Sequence, residues 1–180
     1  MTNGLVVMTP SSIAYSGTSA SINADGSVSF SACTSLSLNG VFTGDYDNYM
    51  VALRSIGSAS AAVGVRLRAS GVDEDSASNY YTHQYLYAGS TTVSAGRSSN
   101  NVWFLYINST TLYGGTTQYI YGPYLAQPTA HRSVSSDPRD SATINDYAGT
   151  HSLSTSYDGF TLFQSTDNFS GLVTVFGFNQ

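Results

Sequence analysis

Lysine is absent from this chain of 180 residues, and glutamate occurs once, as Glu74. These two residues usually fill a solvated helix face. Their scarcity, beside abundant Thr, Tyr, Val and Phe, disfavours helix and favours strand. Charge of either sign is thin: 9% of residues are charged, against roughly 25% in an average globular protein. The basic residues are Arg54, Arg66, Arg68, Arg97, Arg132 and Arg139. They are too few and too dispersed for the basic stripe of a nucleic-acid binder, and the net charge of −5 opposes that class as well. A single cysteine, Cys33, rules out a disulfide within the chain and a zinc site built on cysteines. No apolar run approaches the roughly 18 residues of a membrane helix. Met1 to Pro10 lacks a basic stretch followed by a long apolar one, so neither a cleavable export signal nor membrane insertion is expected.

What the chain does have is a 41% hydrophobic and 13% aromatic composition, enough for one domain with a real core. Its polarity comes from Ser, Thr, Asn and Tyr. A surface of this kind repels neighbours poorly and suits a subunit that sits against others. Tyr49 to Ile56 alternates, with Val51 and Leu53 on one face and Met50, Ala52 and Arg54 on the other. Val63, Val65, Leu67 and Ala69 alternate with Gly64, Arg66 and Arg68, which predicts a half-buried strand with Arg on the wetter face. Ser27 to Phe30 alternates, and Leu36 and Leu38 continue the period of two; further strands are predicted over Asn79 to Tyr87, Val102 to Ile107, Thr117 to Leu125 with an interruption at Gly122-Pro123, Thr143 to Ser156 as one or two strands broken near Gly149, Phe160 to Phe163 and Leu172 to Phe178. Leu5 to Met8 reads as a short strand or arm, Tyr15 to Asp25 as a Ser/Gly-rich connector, and Gly89 to Asn101 and Ser133 to Asp140 as loops. No 3.6-residue apolar period of useful length occurs. Eight to ten short strands between turns imply an all-β fold: a single antiparallel β-sandwich, jelly-roll-like, over residues 16–180, preceded by an N-terminal strand or docking arm over 1–15.

Few residues offer chemistry. Asp73, Glu74 and Asp75 form the densest acidic cluster and are a weak Ca²⁺ candidate. They lack the spaced ligands and placed glycine of an EF-hand, so a solvated hairpin tip is the better reading. Asp45 and Asp47 suit a turn stabilised by Asx-type hydrogen bonds. His83, His131 and His151 show no metal-ligand spacing. There is no Gly-x-Ser-x-Gly elbow, no phosphate loop at Gly114-Gly115, and no carboxylate pair that can be chosen among the Asp residues. The chain therefore reads as a non-enzyme that needs no cofactor. Its conspicuous resource is tyrosine: Tyr80, Tyr81, Tyr85, Tyr87, Tyr106, Tyr113, Tyr119, Tyr121 and Tyr124. Alternation sends some of these to the surface, where a ring with a polar tip anchors a protein contact or stacks on a sugar. Leu5, Val6, Val7, Met8, Tyr81, Tyr85, Tyr87 and Tyr121 are the interface or docking candidates.

Three groups of residues carry a resemblance: Phe42-Thr43-Gly44-Asp45-Tyr46-Asp47-Asn48-Tyr49, then Val65-Arg66-Leu67-Arg68 with Gly71-Val72-Asp73 and Asn79-Tyr80-Tyr81, and finally Phe169 to Asn179. Together with Gly4-Leu5-Val6 and Ser35 to Phe42, this pattern resembles small β-sandwich structural proteins of tailed bacteriophages, of the head-decoration, minor tail or fibre-knob type. The resemblance covers the N-terminal half and the last strand, and little of residues 88–160. It implies a virion structural protein, made in the host cytoplasm, that decorates capsid or tail through subunit contacts. The expected partners are its own copies, as a homotrimer, and other proteins of the particle. The alternative it implies is a receptor- or carbohydrate-binding knob that uses exposed Tyr on a host-surface glycan. The resemblance supplies no catalytic residues.

Overall fold

The computed structural model describes residues 4–76, 81–88, 92–137, 143–164 and 166–179, apart from the side chains of His83 and Asp137. The fold is all-β, 66% strand with no helix among the described residues. In chain order the strands are β1 (Val6–Val7), β2 (Ser12–Ile22), β3 (Val28–Asn39), β4 (Asn48–Gly57), β5 (Ala62–Ala69), β6 (Val72–Asp73), β7 (Tyr81–Ala88), β8 (Val93–Asn100), β9 (Trp103–Ile107), β10 (Gly114–Tyr121), β11 (Thr129–Asp137), β12 (Thr143–His151), β13 (Gly159–Gln164) and β14 (Phe169–Phe178). Every pairing is antiparallel, in the order β6-β5-β13-β3-β14-β4-β10-β11-β12-β7-β8. β1 lies beside β14, β2 beside β3 and β9 beside β5. The antiparallel sandwich expected from the sequence is present.

β3 makes this one continuous sheet into two layers. Its first half, Val28 to Cys33, pairs with β14, and its second half, Ser35 to Leu38, pairs with β13. The switch falls at a bulge. The β2–β3 register slips between Ser16 and Gly17, and Ala32 takes φ 47°. Gly17 has φ 152°, and a Cβ there would lie 2.4 Å from the Ala32 carbonyl oxygen. Only glycine fits a strand that must bend so closely over its partner. A long layer (β14-β4-β10-β11-β12-β7-β8) thus faces a short one (β13, β5, β9 and β6).

Between the layers sits the core. Val65, Leu67, Phe160, Leu162, Trp103 and Leu105 of the short layer meet Val51, Leu53, Ile120, Val173 and Val175 of the long one, all buried. Phe42 packs on Tyr49 and Phe160 at ring separations of 4.7 and 5.7 Å.

Several expectations are corrected. β2 runs through the segment read as a connector, β8 through the loop after Gly89, and β11 through the polar loop after Ser133. β2 and β8 are mostly exposed strands, so they carry no apolar alternation to read. β10 begins at Gly114 rather than Thr117, and it ends at Tyr121, before the Gly122-Pro123 interruption the sequence signalled. The boundary expected after Tyr15 falls inside β2, and Val6–Val7 are paired to β14. Arg68 lies on a buried rather than a wet face. Its side chain is 10% exposed, and its guanidinium donates to Asp73, to the Gly71 carbonyl and to the hydroxyls of Ser37 and Thr161.

Candidate functional site

The inward face of β11 and β12 is polar. Thr129, His131, Ser133, Ser135, Asn145 and His151 are all buried there. β9 covers them. The Trp103 ring stacks on His131 at 4.1 Å, and Ser135 Oγ donates to the Leu105 carbonyl at 3.0 Å. His151 Nε2 lies 2.5 Å from the Tyr157 hydroxyl, and its ring packs 4.3 Å from that of Tyr81. Burial holds the His151 imidazole well below its ordinary range, at about 4, and pushes the Tyr157 hydroxyl up to about 12. A neutral imidazole clamped between aromatic rings is a packing element. The register also sets His131 and His83 on either side of Gly149. Among the described residues, no group of three or more His, Cys, Asp or Glu side chains is arranged to hold a metal ion.

The acidic tip is likewise committed to structure. Thr161 and Arg68 both donate to Asp73 Oδ1, and Ser76 donates to Glu74. Asp73 is thus a counter-ion for a buried guanidinium, and the Asp73-Glu74-Asp75 cation reading gives way to that role.

The interface candidates separate into three groups. Tyr81 is corrected: it is 1% exposed, packs edge-on to Trp103, accepts from the Leu67 amide and donates to the Glu74 carbonyl. Tyr85 and Tyr87 are half-buried on the inward side of β7, and Tyr85 covers Gly96 of β8. Leu5 and Val7 are exposed, Val6 and Met8 half-buried, and Tyr121 half-buried on the outward side. Tyr80 lies outside the described residues.

Leu5, Val7 and Tyr121 point to a surface that no sequence motif announced: the outward face of the long layer. Strand register lays it out as a grid. One row crosses seven strands as Arg97, Gln84, Ala148, Arg132, Tyr119, Met50 and Phe176. The row two residues along runs from Ala95 through Leu86, Asp146, Val134, Thr117 and Ala52 to Thr174. The next runs from Val93 through Ala88, Ile144, Ser136, Gly115 and Arg54 to Leu172. A fourth, on the other side, runs from Ser99 to Phe178 through Tyr121 and Asn48. At about 4.8 Å between strands and 3.3 Å per residue, the grid spans on the order of 600 Å².

Two properties mark this face. It exposes large apolar side chains in quantity: Val93, Ile144, Val134, Leu86, Leu172 and Tyr119 are 37–67% exposed. It is also basic in an acidic chain. Its only charged positions are Arg54, Arg97, Arg132 and Asp146, while six of the eleven acids (Asp45, Asp47, Asp73, Glu74, Asp75 and Asp158) gather at the loops of one end. Backbone hydrogen bonds tie those loops together: Phe42 N to Asp158 O, Asp158 N to Arg68 O and Gly122 N to Asp47 O, at 2.8–3.1 Å. On the grid, Arg132 makes a two-armed pair with Asp146, and Arg54 stacks 3.7 Å from the Tyr113 ring.

No family model matches this chain, and no curated protein is similar to it. One solved structure, described as "Catalytic domain of PdAgaC", aligns over 98% of this chain and 76% of that one, with a TM-score of 0.26 and 9% identity, and carries no argument at that level.

Proposed function

We propose that this protein is a non-enzymatic structural subunit of a tailed-phage virion, assembling on capsid or tail through the outward face of its long sheet. The carrying observation is that face: seven strands wide, rich in exposed apolar and Tyr side chains, and with four charges in all. Several large exposed apolar side chains gathered on one face mark a contact surface, and Tyr and Arg beside apolar residues with few acids is the composition of an interface centre. The virion setting rests on the sequence resemblance. The proposed state is a homotrimer bound to other proteins of the particle.

The test is mass by light scattering, followed by sedimentation with emptied phage particles. A multimer that travels with the particles is the expected result. A monomer that stays in the supernatant would defeat the reading.

A second reading has its own observation. Tyr119 lies 6.4 Å from Tyr121 with nearly parallel rings and edge-on to Phe178 at 6.2 Å, beside a groove of about 290 Å³ lined also by Leu5, Met50 and Asn179. Such a platform can stack on sugar rings, which supports a glycan-binding knob. A glycan array with Tyr119→Ala as control separates the two readings.

A further inference from the structure

The outward face has the wrong charge to pair with itself. Placing two copies face to face would set Arg54, Arg97 and Arg132 of one against the same residues of the other, with only Asp146 on each side to offset them. Like charges brought together in a contact are a strong negative term. Yet the area, on the order of 600 Å² before side-chain relief, approaches the roughly 800 Å² per partner of a stable protein contact. A surface that is large enough and sticky enough, but self-repelling, calls for a partner surface of opposite sign.

The same chain carries one. The loop end that holds Asp45, Asp47, Glu74, Asp75 and Asp158 contains no exposed Arg among the described residues, since Arg68 is buried and consumed by Asp73. Resting on the assembly reading above, we infer that the outward face of the long sheet receives the acidic loop end of a second copy, in a head-to-tail contact. A contact between two different patches is heterologous. It closes into a ring or runs on as a filament, and only this class of contact yields a trimer; a self-complementary patch would stop at two. The apolar rows supply the buried area, and Arg54 and Arg97, at opposite ends of the grid, fix the register of the incoming end.

The experiment is a charge swap read by light scattering and by salt dependence. One variant carries Arg54→Glu with Arg97→Glu. The other carries Asp47→Arg with Asp75→Arg, two exposed acids. Each alone is expected to weaken association about 100-fold or more, and an equimolar mixture to recover most of it, as charge complementarity across a contact demands. The neutral pairs Arg54→Gln with Arg97→Gln and Asp47→Asn with Asp75→Asn keep the test decisive if a swapped chain misfolds. They should associate more weakly than wild type and lose its sensitivity to salt. Swaps that leave association unchanged, or a mixture that fails to recover while circular dichroism shows both chains folded, would overturn the head-to-tail contact. If wild type assembles and travels with particles regardless of the swaps, the head-to-tail contact falls and the assembly reading stands. If wild type stays monomeric and ignores particles, both fall.

Discussion

The long sheet has two halves that bury their inward faces differently. Near β14 and β4 the interior is hydrocarbon: Val51, Leu53, Val173 and Val175 meet Phe160, Leu162 and Leu67. Near β11 and β12 it is hydroxyl, amide and imidazole, roofed by Trp103. Outward, both halves mix apolar, small polar and Arg side chains: Phe176, Leu172, Met50 and Arg54 on one, Val134, Ile144, Ala148 and Arg132 on the other. The contrast teaches that the outward face is not a by-product of core packing. The interior changes chemistry halfway along the sheet, and the exterior does not.

Breaking the roof of the polar half should have the largest effect. Trp103 is fully buried, stacks on His131 and meets Tyr81 edge-on, so Trp103→Ala is expected to cost about 3–5 kcal/mol in a denaturant titration. A smaller loss awaits in the short layer. Asp73→Ala leaves the nearly buried Arg68 side chain without its counter-ion; because Asp73 itself is 23% exposed and Arg68 keeps its other acceptors, the loss is about 2–3 kcal/mol. Adding calcium to wild type should leave the melting temperature unmoved.

Acid should then distinguish the halves. The His151 imidazole stays neutral in the folded protein down to about pH 4, whereas the unfolded chain takes up its proton near the ordinary value of 6.5. Protonation therefore favours unfolding. Stability is intact above about pH 6.5 and falls as pH drops toward 4, by roughly 3 kcal/mol for this group. His151→Gln should flatten that slope, and an unchanged slope would remove His151 as its source. The smallest effect belongs to Ser133. It is buried, and its hydroxyl has no partner among the described residues, so Ser133→Ala should leave stability unchanged or raise it by about 1 kcal/mol.

How far the sequence could be read follows the same division. β4 and β5 were legible because Val51 and Leu53, and Val63, Val65 and Leu67, alternate against a hydrocarbon interior. β11 was not: its inward residues are Thr129, His131, Ser133 and Ser135, and a polar strand under a polar roof reads as a loop. β2 and β8 failed for a different reason, since edge strands with most side chains in solvent need no apolar period. For the site, the sequence already put Met50, Ala52 and Arg54 on one face. What it could not show was register. Only the pairing of β7, β8, β11 and β12 sets Arg97 and Arg132 in one row and carries Leu86, Val134 and Ile144 into the same plane. Tyr81 shows the converse: its composition suggested a surface, and Trp103 and the Leu67 amide hold it in the core.

If the outward face is a contact surface, its disruption must show most directly in the solution mass of Val93→Glu with Ile144→Glu against wild type, two positions with no acid directly opposite them. Both side chains point into solvent, so the variant should keep its circular dichroism and melting temperature. Wild type is expected to be multimeric and the variant monomeric at equal concentration. Equal masses for the two folded proteins would contradict a contact surface there.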